Sequence, residues 1–138
     1  MNPADRLELS DLVHRYAAGV DDRRFDDVVD LFTGDATLTV PDPPRTLEPA
    51  VAHHGPAEIG QAVASVAQTE RTIHAILSEI YTAATQSVQA RGRVTCIAHH
   101  FTRRDQRIEV GRVTWRRCGE HDEQTPNGGR KLVDGRLR

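Results

Sequence analysis

His74 is the first residue in this chain whose setting suggests chemistry. It lies in Arg71-Thr72-Ile73-His74-Ala75-Ile76-Leu77-Ser78-Glu79-Ile80-Tyr81, a run with the look of a β-strand. Imidazole changes charge near neutral pH, so a strand histidine that faces inward is available as a general base. Successive strand side chains point to opposite faces, which groups His74 with Ile76, Ser78 and Ile80. The two branched aliphatics mark that face as the inner one. On the next run Val94, Cys96, Ala98 and His100 share an apolar face, and Arg91, Arg93, Thr95, Ile97 and His99 share the other. Alternation therefore turns His100 inward beside His74.

An imidazole buried without a partner costs about 1–3 kcal/mol. A carboxylate is its natural partner and raises the ring's basicity. Asp21 is the candidate, because it follows the first helical pattern just after Gly19. The helix dipole disfavours a carboxylate at a helix C-terminus by about 0.3–1 kcal/mol, and a protonatable ring offsets that. The competing reading makes Asp21 or Asp22 a cap for the second helix and His74 a structural residue. No HxxxH or HExxH occurs, so no metal is expected. Cys96 and Cys118 form neither a CxxC pair nor a disulfide framework and read as two free thiols. There is no glycine-rich phosphate loop, and no cofactor is expected.

The elements that must position these residues follow from periodicity. Asn2-Pro3 is a helix start, and Leu9, Val13, Tyr16 and Val20 recur at helical spacing behind it. Phe25, Val28, Val29 and Phe32 predict a second helix, with Gly34 as its stop. Ala36 to Val40 alternates as a strand. Residues 41–56 hold five of the seven prolines and read as a loop, with a short strand near Ala52-His53-His54. A third helix opens at Pro56, with Ile59, Val63, Val66 and Ala67 as its stripe. The period then changes from 3.6 to 2. Residues 72–82, 87–101 and 107–117 read as long strands joined by turns near Thr85 and Arg104-Asp105. Asn127-Gly128 signals a hairpin, with Lys131 to Leu137 as the last strand.

Helices segregated from a mostly antiparallel sheet mean an α+β fold. Long strands joined by short turns curl, so the expected form is a cone-shaped mixed sheet whose cavity three helices close. One domain spans residues 1–138. A formal net charge of −2 argues against nucleic acid as the main partner, and no apolar run is long enough to cross a membrane. The N-terminus has no signal-peptide pattern, so the default location is cytoplasmic. Residues 1–35 carry nine acids and four bases, and residues 91–138 carry twelve bases and six acids. Ile97 and Phe101 among arginines on the outer sheet face predict a homo-oligomer, most simply a dimer.

These stretches together resemble the SnoaL-like families of the nuclear-transport-factor-2-like superfamily. The resemblance runs from DRLELSDLVHRYAAGVDDRRFDDVVDLFTGDATL through HGPAEIGQAV and RTIH to the late strands. It is nearest to the branch of scytalone dehydratase, hexachlorocyclohexane dehydrochlorinase and bile-acid 7α-dehydratase. By that resemblance Asp21 matches the aspartate that orients a catalytic histidine, and His74 matches the histidine. Tyr16 matches a tyrosine of the bile-acid enzyme, where the dehydrochlorinase has lysine. The pair His99-His100 falls where scytalone dehydratase has a second pocket histidine: an ungapped comparison favours His99, and alternation favours His100. Two features depart from the family. The last hairpin reads Gly128-Gly129-Arg130-Lys131 without the usual tryptophan, and Arg138 ends the chain without the tail that covers the cavity in relatives.

The resemblance implies a cofactor-independent lyase, a dehydratase type that acts on a small polycyclic or terpenoid hydroxy-ketone. Asp21 would orient His74 as general base, Tyr16 would donate a hydrogen bond, and His100 or His99 would protonate the leaving group. An isomerase or polyketide cyclase would use the same base. The third reading is a domain that binds a small hydrophobic molecule without chemistry.

Overall fold

The computed structural model describes residues 1–42, 46–83, 90–102, 106–116 and 132–137, with side chains for 1–40, 50–83 and 90–102. The predicted turns near Thr85 and Arg104-Asp105, the Asn127-Gly128 hairpin, Cys118 and Arg138 lie outside the described residues. Helix α1 spans Pro3–Asp21 and starts on a capping box: the Asn2 side chain accepts from the Asp5 amide at 2.8 Å, and the Asp5 carboxylate accepts from the Asn2 amide. Leu9, Leu12, Val13, Ala17 and Val20 form its buried stripe.

Helix α2 is only Phe25–Val29, shorter than its periodicity predicts. The chain is already extended by Phe32, where strand β1 (Phe32–Asp42) begins, so Gly34 lies inside a strand and stops no helix. Phe32 is buried as a strand residue, at 2% exposure. An apolar i, i+7 match cannot tell that outcome from two turns of helix. The segment expected to be mostly loop also contains a strand, β2 (Thr46–His54), paired antiparallel with β1. Register shifts at Pro41 let this proline-rich hairpin pair despite its missing donors.

Helix α3 (Gly55–Ala64) runs on into a 3₁₀ turn, Ser65–Gln68. Strands β3 (Arg71–Ala83), β4 (Ala90–Phe101), β5 (Gln106–Arg116) and β6 (Leu132–Leu137) complete a six-stranded sheet in the order β2-β1-β6-β5-β4-β3. All neighbours are antiparallel except β1 and β6, which run parallel. The fold is α+β, a curled mixed sheet closed by three helices. Its core gathers Leu12, Val13 and Val20 of α1, Val28 of α2, Ile59 of α3 and Val94 of β4.

One correction concerns the strand that carries His74. Ile76 pairs with Cys96 and Ser78 with Thr95, so Leu77 is an extra residue, a β-bulge. Alternation inverts beyond it. Ser78 and Ile80 turn outward, and Glu79 and Tyr81 turn inward; Ile80 is 46% exposed and Tyr81 8%. His74 thus shares its face with Thr72 and Ile76, but not with Ser78 or Ile80. The inverted half packs on α1: the Tyr81 hydroxyl donates to the Leu9 carbonyl at 3.3 Å, and the Ser10 hydroxyl donates to Glu79 at 2.7 Å.

Candidate active site

Asp21 is the last residue of α1, and the turn beyond it is tightly built. The Asp22 amide donates to the Ala18 carbonyl, the Arg23 amide to Val20, and the Arg24 amide to Gly19. The last two bonds form a Schellman motif with Arg23 in the left-handed position, φ +62°. The α2 cap at Arg24 takes no side-chain hydrogen bond, so neither Asp21 nor Asp22 caps that helix. The Asp22 carboxylate instead meets the exposed Arg24 guanidinium at 3.3 Å. Gly19 lets the two helices approach closely. A Cβ there would meet Val28 Cγ2 at 2.5 Å.

This turn delivers the Asp21 carboxylate to β3. Oδ2 accepts from the backbone amide of His74 at 2.8 Å, and Oδ1 lies 2.7 Å from His74 Nδ1. A carboxylate only accepts, so Nδ1 must carry the hydrogen, and in the neutral ring the lone pair is on Nε2. The two bonds lock both the height and the rotation of the ring. The side chains are 24% exposed for Asp21 and 14% for His74, so the pair is sheltered yet reachable.

His100, opposite Thr72 on β4, stands on the same face as His74, with ring centroids 6.3 Å apart and planes tilted by 58°. His99 points the other way and stacks on Phe101 at 6.2 Å. Tyr16 sits on α1 with its ring edge against Phe32, 6.2 Å between centroids. Burial, reinforced by nearby Cys96, pushes its phenol up to about 12. It therefore remains a proton-bearing donor across the neutral range. Cys96, on the same face of β4 as His100, is pushed up to about 11, by burial first and then by the Asp21 charge. Cys96 thus lies close enough to feel both Tyr16 and Asp21. The structure brings Asp21, His74 and His100 together, sets Tyr16 near Cys96, and leaves His99 on the outer face.

Two residues beside the pair had no role in the sequence reading. Cys96 was placed on the face of His100 but read only as a free thiol. Arg23 lies in no periodic stripe, yet its guanidinium reaches across to Thr69 and Thr72, just ahead of His74. A surface cleft between α1 and α2, touching His14, Arg15, Arg24 and Asp27, does not include the Asp21–His74 pair. Among the described residues, no group of three or more histidines, cysteines, aspartates or glutamates could hold a metal ion.

The chain is similar in structure to several solved proteins. One from Novosphingobium aromaticivorans, proposed to be an aromatic ring hydroxylase, is 21% identical, with a TM-score of 0.81 over 99% of this chain and 90% of that one. Another from the same organism, proposed to be a scytalone dehydratase, is 15% identical, with a TM-score of 0.79 over 98% and 83%. A type 2 hexachlorocyclohexane dehydrochlorinase is 16% identical, with a TM-score of 0.78 over 98% and 84%. At these identities the likeness concerns the fold alone. No match was found among curated protein sequences. The SnoaL-like domain profile matches residues 3–129, nearly the whole length, and the chain belongs to the SnoaL-like family.

Proposed function

We propose that this protein is a cofactor-independent lyase of the dehydratase type, acting on a small polycyclic or terpenoid hydroxy-ketone. The observation that carries the reading is the pair of hydrogen bonds that His74 donates to Asp21 from its backbone amide and Nδ1, which leaves Nε2 as the nitrogen available to act as a base. His74 Nε2 takes the proton next to the substrate carbonyl. The electron pair left on carbon forms the new double bond as the β-hydroxyl departs. Asp21 stabilises the imidazolium, as in other Asp–His pairs. The Tyr16 hydroxyl donates to the carbonyl or to the departing hydroxyl. His100 gives a proton to the leaving hydroxyl, which departs as water, and the product is an unsaturated ketone. This sequence needs no metal, nucleotide or flavin.

The test is a product assay over fused-ring and terpenoid β-hydroxy-ketones, read by mass spectrometry. Loss of water supports the proposal. A product of unchanged mass from the same base would mark an isomerase or cyclase instead. On a confirmed substrate, His74→Ala should abolish turnover and leave the circular dichroism unchanged. Asp21→Asn should lower the rate by about 10²–10⁴-fold. An Asp21→Asn variant with wild-type rate would overturn the assignment. Binding of such ketones without turnover would mark a binding domain.

We further propose a homo-oligomer, a dimer through the outer sheet face. On that face Ile80, 46% exposed, pairs with the exposed Arg93, and Ile73, 38% exposed, pairs with His99. No helix among the described residues is long and apolar enough to cross a membrane, and we place the protein in the cytoplasm.

A further inference from the structure

We infer that Arg23 is a positioning residue for the Asp21–His74 pair. Among the described residues it is the only non-glycine with positive φ, at +62°. That conformation crowds Cβ, and glycine would adopt it freely. Conformation alone therefore gives no reason for arginine at this place, whereas its side chain does. Nη1 donates to Thr72 Oγ1 at 3.2 Å and reaches back to the Val20 carbonyl at 3.5 Å. Nη2 donates to both the carbonyl and the hydroxyl of Thr69, each at 3.1 Å. Thr72 is 1% exposed, so its hydroxyl has little access to water as an alternative partner.

The arrangement is a clamp with two parallel ties between the same two segments. Asp21 and Arg23 lie two residues apart at the end of α1, and Thr72 and His74 lie two residues apart on β3. The first tie is the carboxylate on His74, and the second is the guanidinium on Thr69 and Thr72. A planar fork serves the second tie because it fixes direction as well as distance, which a single ammonium cannot do. Without it, the Asp21–His74 bonds would be the only polar tie given above between the turn that ends α1 and the start of β3. The Oδ1–Nδ1 contact that sets the His74 tautomer would then open more often. Arg23 touches neither His74 nor Asp21 in the bonds above; it acts through the segments that carry them.

This inference rests on reading Asp21 and His74 as a working pair, but its test needs no substrate, so the two can fail separately. The probe is the His74 Nδ1 proton, followed by NMR of ¹⁵N-histidine-labelled full-length protein, with backbone amides of the core as reference. The variant is Arg23→Gly, which keeps the left-handed turn and removes the fork. The expected result is exchange of the His74 Nδ1 proton with water at least about tenfold faster, while core amides such as that of Val94 keep their protection. Arg23→Lys, which keeps the charge and loses the fork, should fall between, and it decides the matter should Arg23→Gly fail to fold. An exchange rate within about twofold of wild type in the deciding variant overturns the inference. So does a uniform loss of protection in which His74 changes no more than the core, and so does the absence of an Nδ1 proton signal in the wild type.

Discussion

At the scale of the residue, the Asp21 carboxylate has two unlike partners. The His74 backbone amide can only donate, whereas Nδ1 can donate or accept. That difference determines what Asp21→Asn should do. Its single carbonyl oxygen is needed by the backbone amide, which leaves the amide NH₂ facing Nδ1. The ring must then accept at Nδ1 and carry its hydrogen on Nε2, the wrong end for a base. Nitrogen NMR of the variant should show the switched tautomer in the absence of any substrate; an unchanged Nδ1–H would refute this account. Tyr16 has a milder part. Tyr16→Phe removes one hydrogen bond and should slow turnover about tenfold on a confirmed substrate. In the sequence, Asp21 stood out as a partner for His74 by its place after Gly19 and by the family resemblance, with a helix-cap role as the competing reading. Strand alternation favoured His100 and the ungapped comparison His99, and the structure sets His100 on the face of His74.

At the scale of the element, the site depends on where α1 ends. Gly19 touches Val28, which has no exposed surface, and stands two residues before Asp21. Gly19→Ala forces either Val28 or the end of α1 to move. We expect it to destabilise the fold by about 1–3 kcal/mol in urea unfolding, as overpacking usually does. It should also speed exchange of the His74 Nδ1 proton. Unchanged urea stability would show that the turn yields easily. Helix α1 was legible because its start is a local signal, Asn2 followed by Pro3, and the structure adds the reciprocal bonds between Asn2 and Asp5. Helix α2 was overread, since the apolar spacing from Phe25 to Phe32 continues while the backbone changes to extended. The bulge at Leu77 left no mark in composition, yet it brings Glu79 into the interface with α1 in place of Ser78 and Ile80.

At the scale of the whole molecule, burial governs the response to alkali. The Cys96 thiol rises from its ordinary 9.0 to about 11 and the Tyr16 phenol from 10.0 to about 12, and Tyr81 also rises, in each case chiefly through desolvation. The folded state keeps protons in this range that the unfolded chain releases, so unfolding becomes easier as pH rises. The contribution is intact below pH 9.0 and is lost progressively towards pH 12. Melting temperature should therefore fall through this window, and Cys96→Ala should make the first part of the fall shallower. A melting temperature as flat at pH 11 as at pH 8 would contradict this. The outer sheet face makes a second prediction at this scale. Sedimentation at micromolar concentration should show a dimer, and Ile73→Lys with Ile80→Glu should shift it towards monomer; a wild-type monomer would end that proposal.

The sequence by itself determined what depends on near neighbours. The change of period from 3.6 to 2 separated helices from sheet, because side chains three to four apart meet on a helix and those two apart share a strand face. The helix start at Asn2-Pro3 and the third helix at Pro56 are legible for the same reason. Tertiary structure alone decided matters that span the chain. Thr37 lies beside Asp134 in the parallel pairing of β1 and β6. The Arg23 guanidinium finds acceptors 46 and 49 residues further on. Leu77 bulges, and every residue after it on β3 changes face. Local pattern is blind to these because a one-residue register shift leaves composition and spacing intact. Packing against α1 is what selects one register over the other.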